Sequence, residues 1–249
     1  MSNFFKEVYY VAWGDIRFLR HTWINVLIMS LMTPLLYLVA FGYGLRTGET
    51  DSGFSYIAFV IPGIVALTAL SAPFSATSTR LNVQRLYYKC FDEMMMCPLS
   101  MSSIMVGKSI VGVVRGLFSC LALFLLGLFL APDLTFTPLF LVCLIISCFV
   151  FSFLGVVAAL MAKSHQSMAT FSSVVILPMT FLCGTFFSVS SLPAFFQVLL
   201  YCLPLTHASE CIRAASLGTA FPWWSLAALI AFGIAFYLIG WRLLKTKKI

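Results

Sequence analysis

The chain has 249 residues, of which 61% are hydrophobic and only 9% charged, and its formal net charge is +7. An ordinary soluble domain carries about 25% charged residues. The composition therefore excludes one, and six long apolar runs leave no stretch that could fold as a nucleotide-binding or catalytic domain. The basic excess collects at the ends of those runs, so it needs no nucleic-acid partner.

Residues 1–22 read as an amphipathic helix. Phe5, Tyr9, Ala12, Ile16 and Leu19 fall at helical spacing, with Lys6, Arg17 and Arg20 towards the other side. Such a helix lies in the plane of the membrane interface as an anchor, and a sharper reading adds a docking surface for a cytoplasmic partner. This segment is too polar for the core of a cleavable signal peptide. A membrane span needs ~20 apolar residues to cross ~30 Å of hydrocarbon. The runs that qualify are 23–45, 56–79, 103–131, 136–162, 168–189 and 223–244. All six should be helices, because hydrocarbon offers no partner to an open backbone group.

The expected fold is thus an all-α membrane protein forming a single transmembrane domain. It comprises an interface helix (1–22), spans one and two (23–79), a cytoplasmic loop with a short helix (80–102), spans three to five (103–189), an outer loop with a re-entrant element (190–222), and span six with a basic tail (223–249). Orientation follows from Lys and Arg. Lys6, Arg17, Arg20, Arg80, Arg85, Lys89, Lys163, Arg242, Lys245, Lys247 and Lys248 fall on one side, and Arg46 and Arg213 on the other. Both termini are therefore expected in the cytoplasm.

In the 80–102 loop, Leu86, Cys90, Phe91 and Met94 recur at helical spacing, Arg85, Lys89, Asp92 and Glu93 supply charge, and Pro98 ends the helix. Three consecutive methionines, Met94 to Met96, offer an adaptable apolar surface. The segment reads either as a solvated connector or as the dock for an external motor. Span three holds Arg115, flanked by Gly112 and Gly116 in a GxxxG arrangement that permits close helix packing. Counting down from Leu130 at ~1.5 Å per residue puts Arg115 roughly 22 Å deep. It either snorkels to a cytoplasmic vestibule or touches substrate. Pro34, Pro62-Gly63, Pro178 and Gly184 kink helices or let neighbours approach.

The outer loop contains an apolar piece, Ala194 to Leu205, too short to span and suited to a re-entrant half-helix. His207, Glu210 and Arg213 follow at a spacing of three and share one helical face. They either line the outer mouth of a pathway or form an interfacial Glu210–Arg213 salt bridge. Cys202 and Cys211 both fall near the outer face, which makes a disulfide conceivable without establishing its geometry. Cys90 and Cys97 should stay reduced.

No Asp or Glu falls inside any of the six runs, whereas proton-coupled carriers use titratable groups at mid-membrane. No selectivity element, metalloprotease motif, nucleophile elbow or Walker A motif is visible. Neither a metal site nor a cofactor site is expected in this chain. The remaining classes are a permease powered by an outside motor and a passive carrier, scramblase or assembly protein with no ATPase partner.

Three stretches carry a resemblance. They are Tyr56-Ile-Ala-Phe-Val-Ile-Pro62-Gly63 at the start of span two; Phe91-Asp-Glu93-Met-Met-Met-Cys-Pro98-Leu-Ser, followed by Lys108; and Leu177-Pro178 through Gly184, Leu192-Pro193, Pro204-Leu-Thr-His207 and Glu210 to Arg213. With them, nearly the whole chain resembles the membrane subunits of bacterial ABC-2 type exporters, most closely the permeases of nodulation-factor, lipo-oligosaccharide and drug exporters. The resemblance implies a subunit in the cytoplasmic (inner) membrane, paired with a second copy of itself or a homologous permease and surrounded by lipid. Two cytoplasmic ABC ATPase subunits would bind the ATP and Mg. By the same resemblance Arg85, Tyr87, Asp92 and Glu93 are the ATPase-coupling residues, while Arg115, His207, Glu210 and Arg213 are pathway or gate candidates by their position in the chain. The implied cargo is amphiphilic: a lipo-oligosaccharide, glycolipid, polysaccharide or drug. Phe186, Phe187, Phe195 and Phe196 would line its route or serve as interface packing. Cys90, Cys97 and the methionine triplet depart from the apolar residues common in the family.

Overall fold

The computed structural model describes residues 2–44, 56–131, 134–182 and 193–247, and within them there is no β-strand. Arg46, Gly184, Phe186, Phe187, Leu192 and Lys248 lie outside the described residues. The helices are α1 (Ser2–Gly44), α2 (Tyr56–Leu86), α3 (Cys90–Met96), α4 (Met101–Leu130), α5 (Pro138–Met161), α6 (His165–Phe171), α7 (Leu177–Leu182), α8 (Ala194–Tyr201), α9 (Pro204–Leu217) and α10 (Trp223–Lys247). A π-helical turn, Ser172–Ile176, joins α6 to α7.

Among the described residues, four helices, α2, α4, α5 and α10, are long and apolar enough to cross a membrane. The first and fifth expected spans fall partly outside the described residues; of them the described part includes the apolar stretch Ser30–Ala40 of α1 and, in the fifth, helix as far as Leu182. Large side chains such as Phe118, Leu125, Phe129, Ile234 and Leu238 stand exposed on outward faces. Apolar surface on that scale suits lipid rather than water.

The break expected near residue 22 is absent. α1 runs unbroken from Ser2 to Gly44, and it follows α4 in parallel. The Ser100 N–H donates to Glu7 at 3.0 Å, Lys108 reaches Asp15 at 2.8 Å, and Ser30 and Ser119 hydroxyls meet at 2.8 Å. The physical reason is twofold. No proline falls between residue 2 and Pro34 to end the helix, and Asp15 must be held against the cations of α2 and α4. The buried face is accordingly Val8, Val11, Ala12 and Asp15. Of the predicted line of Phe5, Tyr9, Ala12, Ile16 and Leu19, Ala12 is buried, Ile16 is half-buried and Phe5 and Tyr9 are exposed, while the Leu19 side chain lies outside the described residues. Phe5, Tyr9, Tyr10 and Trp13 point outward, with Tyr9 and Trp13 stacked at 5.5 Å. The early segment therefore packs along the bundle instead of lying flat as a separate interface helix.

α2 forms the centre, enclosed by α1, α4, α5 and α9. Its Ala58, Ile64, Val65, Ala66, Ala69 and Leu70 are fully buried. Close approach depends on glycines of α4 and α5. A Cβ at Gly112 would collide with the Thr77 and Ser152 hydroxyls and approach the Pro73 carbonyl to 2.9 Å, and one at Gly116 would meet Cys148 Sγ and Pro73 Cδ at 3.0 Å. Thus the GxxxG pair of α4 packs against both α2 and α5. Thr77 and Ser152 hydroxyls bond at 2.7 Å, and Ser152 donates onward to the Ser109 carbonyl at 2.8 Å. A second apolar cluster closes one end of the bundle, where Leu81, Phe91, Met95, Ile104, Leu160 and Leu244 meet.

Candidate functional site

The closed end carries the chain's charge. Arg85, from the last turn of α2, donates to the Ala159 carbonyl and, at 2.9 Å, to the Leu160 carbonyl. It thereby satisfies two of the open carbonyls that end α5, where a cation is also favoured by the helix dipole. The chain then turns through Lys89, whose φ of 56° is left-handed, into α3. α3 is seated by Phe91 and Met95, which are four residues apart and buried. Of the predicted apolar face, Cys90 is exposed and Met95 takes its place. Tyr87, Tyr88, Asp92, Glu93 and Met96 face outward, Met96 being 85% exposed. Among the four coupling candidates, Arg85 turns into the bundle while Tyr87, Asp92 and Glu93 form an outward surface.

Beside α3 lies a buried ionic cluster that the sequence analysis did not single out. Asp15, 4% exposed, accepts from Lys108 at 2.8 Å, from Arg80 at 3.1 Å and from Gln84 at 2.7 Å, and Lys108 also donates to Gln84 Oε1 at 2.7 Å. Burial alone would raise the carboxyl's pKa. The Lys108 charge, with hydrogen bonds from Lys108, Arg80 and Gln84, outweighs it and holds Asp15 below the usual aspartate value. Nearby, Ser100 N–H holds the Glu7 carboxyl low as well. The available signal was an aspartate on a helix that also carries Lys6, Glu7, Arg17 and Arg20. Its partners, 65 to 93 residues away, were not legible.

Two neighbouring cavities lie along one flank of α2. One, of about 240 Å³, is lined by Ser78, Thr79 and Asn82 of α2 and by His165 and Met168 of α6. The other, about 390 Å³, is lined by Ser30 and Thr33 of α1, Ser71 of α2, Arg115 of α4, and Ser173 and Thr180 across from them. Ser75 and Ser172 border both. Stacked Phe74 and Phe171 (6.1 Å) bridge α2 to α6, and an edge contact of Tyr37 with Phe181 (6.4 Å) bridges α1 to α7. The π-helical turn, in which Leu177 N–H bonds to the Ser172 carbonyl, lies on the far wall. Such single π turns are frequent at functional sites. Arg115 is half-buried, and its Nε has no hydrogen-bond partner among the described residues.

At the opposite end, α8 and α9 form a helical hairpin where a half-helix was expected. Pro204 opens α9 and Gly218, with φ 67°, ends it. The Thr206 hydroxyl donates to the Leu200 carbonyl at 2.6 Å, and His207 Nε2 donates to the Tyr201 carbonyl at 2.9 Å, so both cap α8. Glu210 accepts from the Ser225 hydroxyl of α10 at 2.6 Å, and Arg213 lies 3.8 Å over the Phe59 ring of α2. These three residues therefore reach three different elements, and His207 is buried rather than set in an open mouth. Cys202 and Cys211 are both free, Cys202 exposed and Cys211 buried beside Cys143, so the conceivable disulfide is not formed. Phe195 is 78% exposed.

Comparison with known proteins adds the family context. Residues 6–217 match a family model described as ABC-2 type transporter. The chain is 28% identical to "Inner membrane transport permease YadH" of Escherichia coli (strain K12), covering 96% of each chain. It is 30% identical to "Nodulation protein J" of Rhizobium leguminosarum bv. viciae, over 76% of this chain and 74% of that protein. A second "Nodulation protein J", from Sinorhizobium fredii (strain NBRC 101917 / NGR234), is 29% identical over 84% and 78%.

Proposed function

The chain belongs to the ABC-2 type transporter family as a membrane transport component, and from that premise we propose that it is the permease subunit of an ATP-driven exporter of an amphiphile. Two cytoplasmic ABC ATPase subunits would supply the energy and bind the ATP and Mg, and a second permease copy or homologue would complete the assembly. Both termini and α3 face the cytoplasm in this reading, in the inner membrane.

The observation that carries the proposal is the seating of α3. Its inner face is locked by Phe91 and Met95 into an apolar cluster shared with α2, α4, α5 and α10, while Tyr87, Asp92 and Glu93 project outward. A push on that surface is transmitted to four helices at once, because a packed core moves as a rigid body. Arg85 adds stiffness by fastening α2 to the end of α5.

The test is co-purification of the tagged chain in nanodiscs from its native membrane. A stoichiometric ATPase with vanadate-sensitive ATP hydrolysis is the expected result. A clean oligomer of this chain without ATPase, from cells that express one, overturns the proposal in favour of a passive carrier.

A further inference from the structure

The polar groove poses a problem of charge. Arg115 is the fifteenth of the 30 residues of α4, inside its apolar span, where an unpaired cation is costly. It borders a cavity of about 390 Å³ whose described lining contains hydroxyls but no carboxylate. Its Nε finds no hydrogen-bond acceptor among the described residues. Hydroxyl dipoles soften a buried charge but do not neutralise it.

The surroundings extend the point. Along α2, Ser71, Ser75, Ser78 and Asn82 recur every three or four residues and so form one stripe. Ser75 and Thr79 are exposed, at a depth where the other flanks of the bundle show Leu, Phe and Val. Asn82 Oδ1 is likewise buried without a partner. Across the groove, Ser173 is exposed beside Leu177, which lines the same cavity and is 58% exposed. A polar track thus runs beside an open apolar wall.

Resting on the transport reading above, we propose that this groove binds an oxyanion, a phosphate or carboxylate, of the transported molecule, with Arg115 as its counter-ion. Arg suits such a group because its planar fork meets two oxygens at once. The hydroxyls of Ser71 and Ser75 are placed to donate to the remaining oxygens, and the apolar wall accommodates an attached chain.

The test uses dodecyl phosphate, titrated against the full chain in phosphatidylcholine nanodiscs, with dodecyltrimethylammonium as the oppositely charged control. The wild-type chain should bind the phosphate at least about tenfold more tightly than the ammonium. Arg115→Gln should lose about tenfold or more of that affinity, and Arg115→Lys should recover most of it. Ser75→Phe, which fills the groove from an exposed position and leaves Arg115 intact, should weaken binding comparably and covers the case in which Arg115→Gln fails to fold. Inorganic phosphate separates the sources. Competition at equal concentration assigns a free anion, and no competition at a large excess assigns the head group of an amphiphile. Equal affinity for the two detergents, or wild-type affinity in folded Ser75→Phe and Arg115→Gln, overturns the site. The titration needs no ATPase. Its failure beside intact ATPase co-purification removes the oxyanion site alone, and the reverse pattern removes the transport reading alone.

Discussion

Asp15→Ala is the sharpest perturbation of the packing that holds α1 to the bundle. The carboxylate accepts from Lys108, Arg80 and Gln84 at 2.8, 3.1 and 2.7 Å. Without it the Lys108 ammonium, 8% exposed, keeps only the neutral Gln84 oxygen at 2.7 Å. Breaking a buried pair by removing one partner costs about 3–5 kcal/mol. At 2–4 °C per kcal/mol for a chain of this size, Tm should fall by about 6–20 °C. Arg80, whose side chain is 26% exposed, can turn to water and adds little to that loss. Lys108→Met alone should also destabilise, but the double substitution should cost less than the sum by about 1–3 kcal/mol, since each change removes the same contact. Thermal unfolding in detergent is followed by labelling of buried Cys120, Cys143, Cys148 and Cys211, above the prompt reaction of exposed Cys90, Cys97 and Cys202. The sign with pH is fixed. A carboxyl whose folded pKa is depressed contributes stability above its unfolded value, and that contribution is lost as pH falls through the folded value. The gap between wild type and Asp15→Ala should therefore be constant at neutral pH and close below about pH 4. A Tm shift under ~2 °C for Asp15→Ala, or full additivity with Lys108→Met, refutes the reasoning.

Gly112→Ala should destabilise by about 1–3 kcal/mol through overpacking against Thr77 and Ser152. Gly14→Ala, which meets nothing within 4 Å, should stabilise by about 0.5–1 kcal/mol, and the same thermal assay separates the two. Arg85→Met should cost about 1.5–3 kcal/mol by freeing two carbonyls at the end of α5, read as faster amide exchange in the last turn of that helix. The pair Asp92→Lys and Glu93→Lys, both exposed, should leave Tm within about 0.5 kcal/mol of wild type while abolishing ATPase co-purification. Unchanged association excludes α3 as the dock. Cys202 should label with a water-soluble maleimide equally with and without reductant, since it is free and exposed.

Much of the fold was legible because it depends on local composition. A run of apolar residues long enough to cross hydrocarbon must be a helix whatever surrounds it, so α4, α5 and α10 appear near their expected limits, while α2 starts as expected but continues to Leu86, into the segment expected as loop. Punctuation by Pro98 marked the end of α3, whereas Pro204, placed inside the half-helix expected from Ala194 to Leu205, instead opens α9. The GxxxG of α4 correctly foretold close packing, though not that Thr77 and Ser152 would be the contacts. The face of α1 was misread because periodicity locates aromatic residues without saying whether their medium is protein or lipid. Here the Val11 side chain and the Val8 carbonyl fit against Gly107, and the aromatics remain outside. His207, Glu210 and Arg213 share a helical face in sequence, yet each side chain is long enough to reach a different neighbour.

By itself the sequence determined a helical membrane protein, its charged ends, the helix after span two and the family. Each of these follows from residue type and short-range spacing, or from similarity along the chain. Tertiary structure alone decided that Asp15 would meet Lys108 and Arg80, that Arg85 would close α5, and that Ser71 and Ser75 would line one cavity with Arg115. Those pairings join residues dozens of positions apart, and they are set by which helix faces pack together. A linear pattern does not specify that choice until the bundle is assembled.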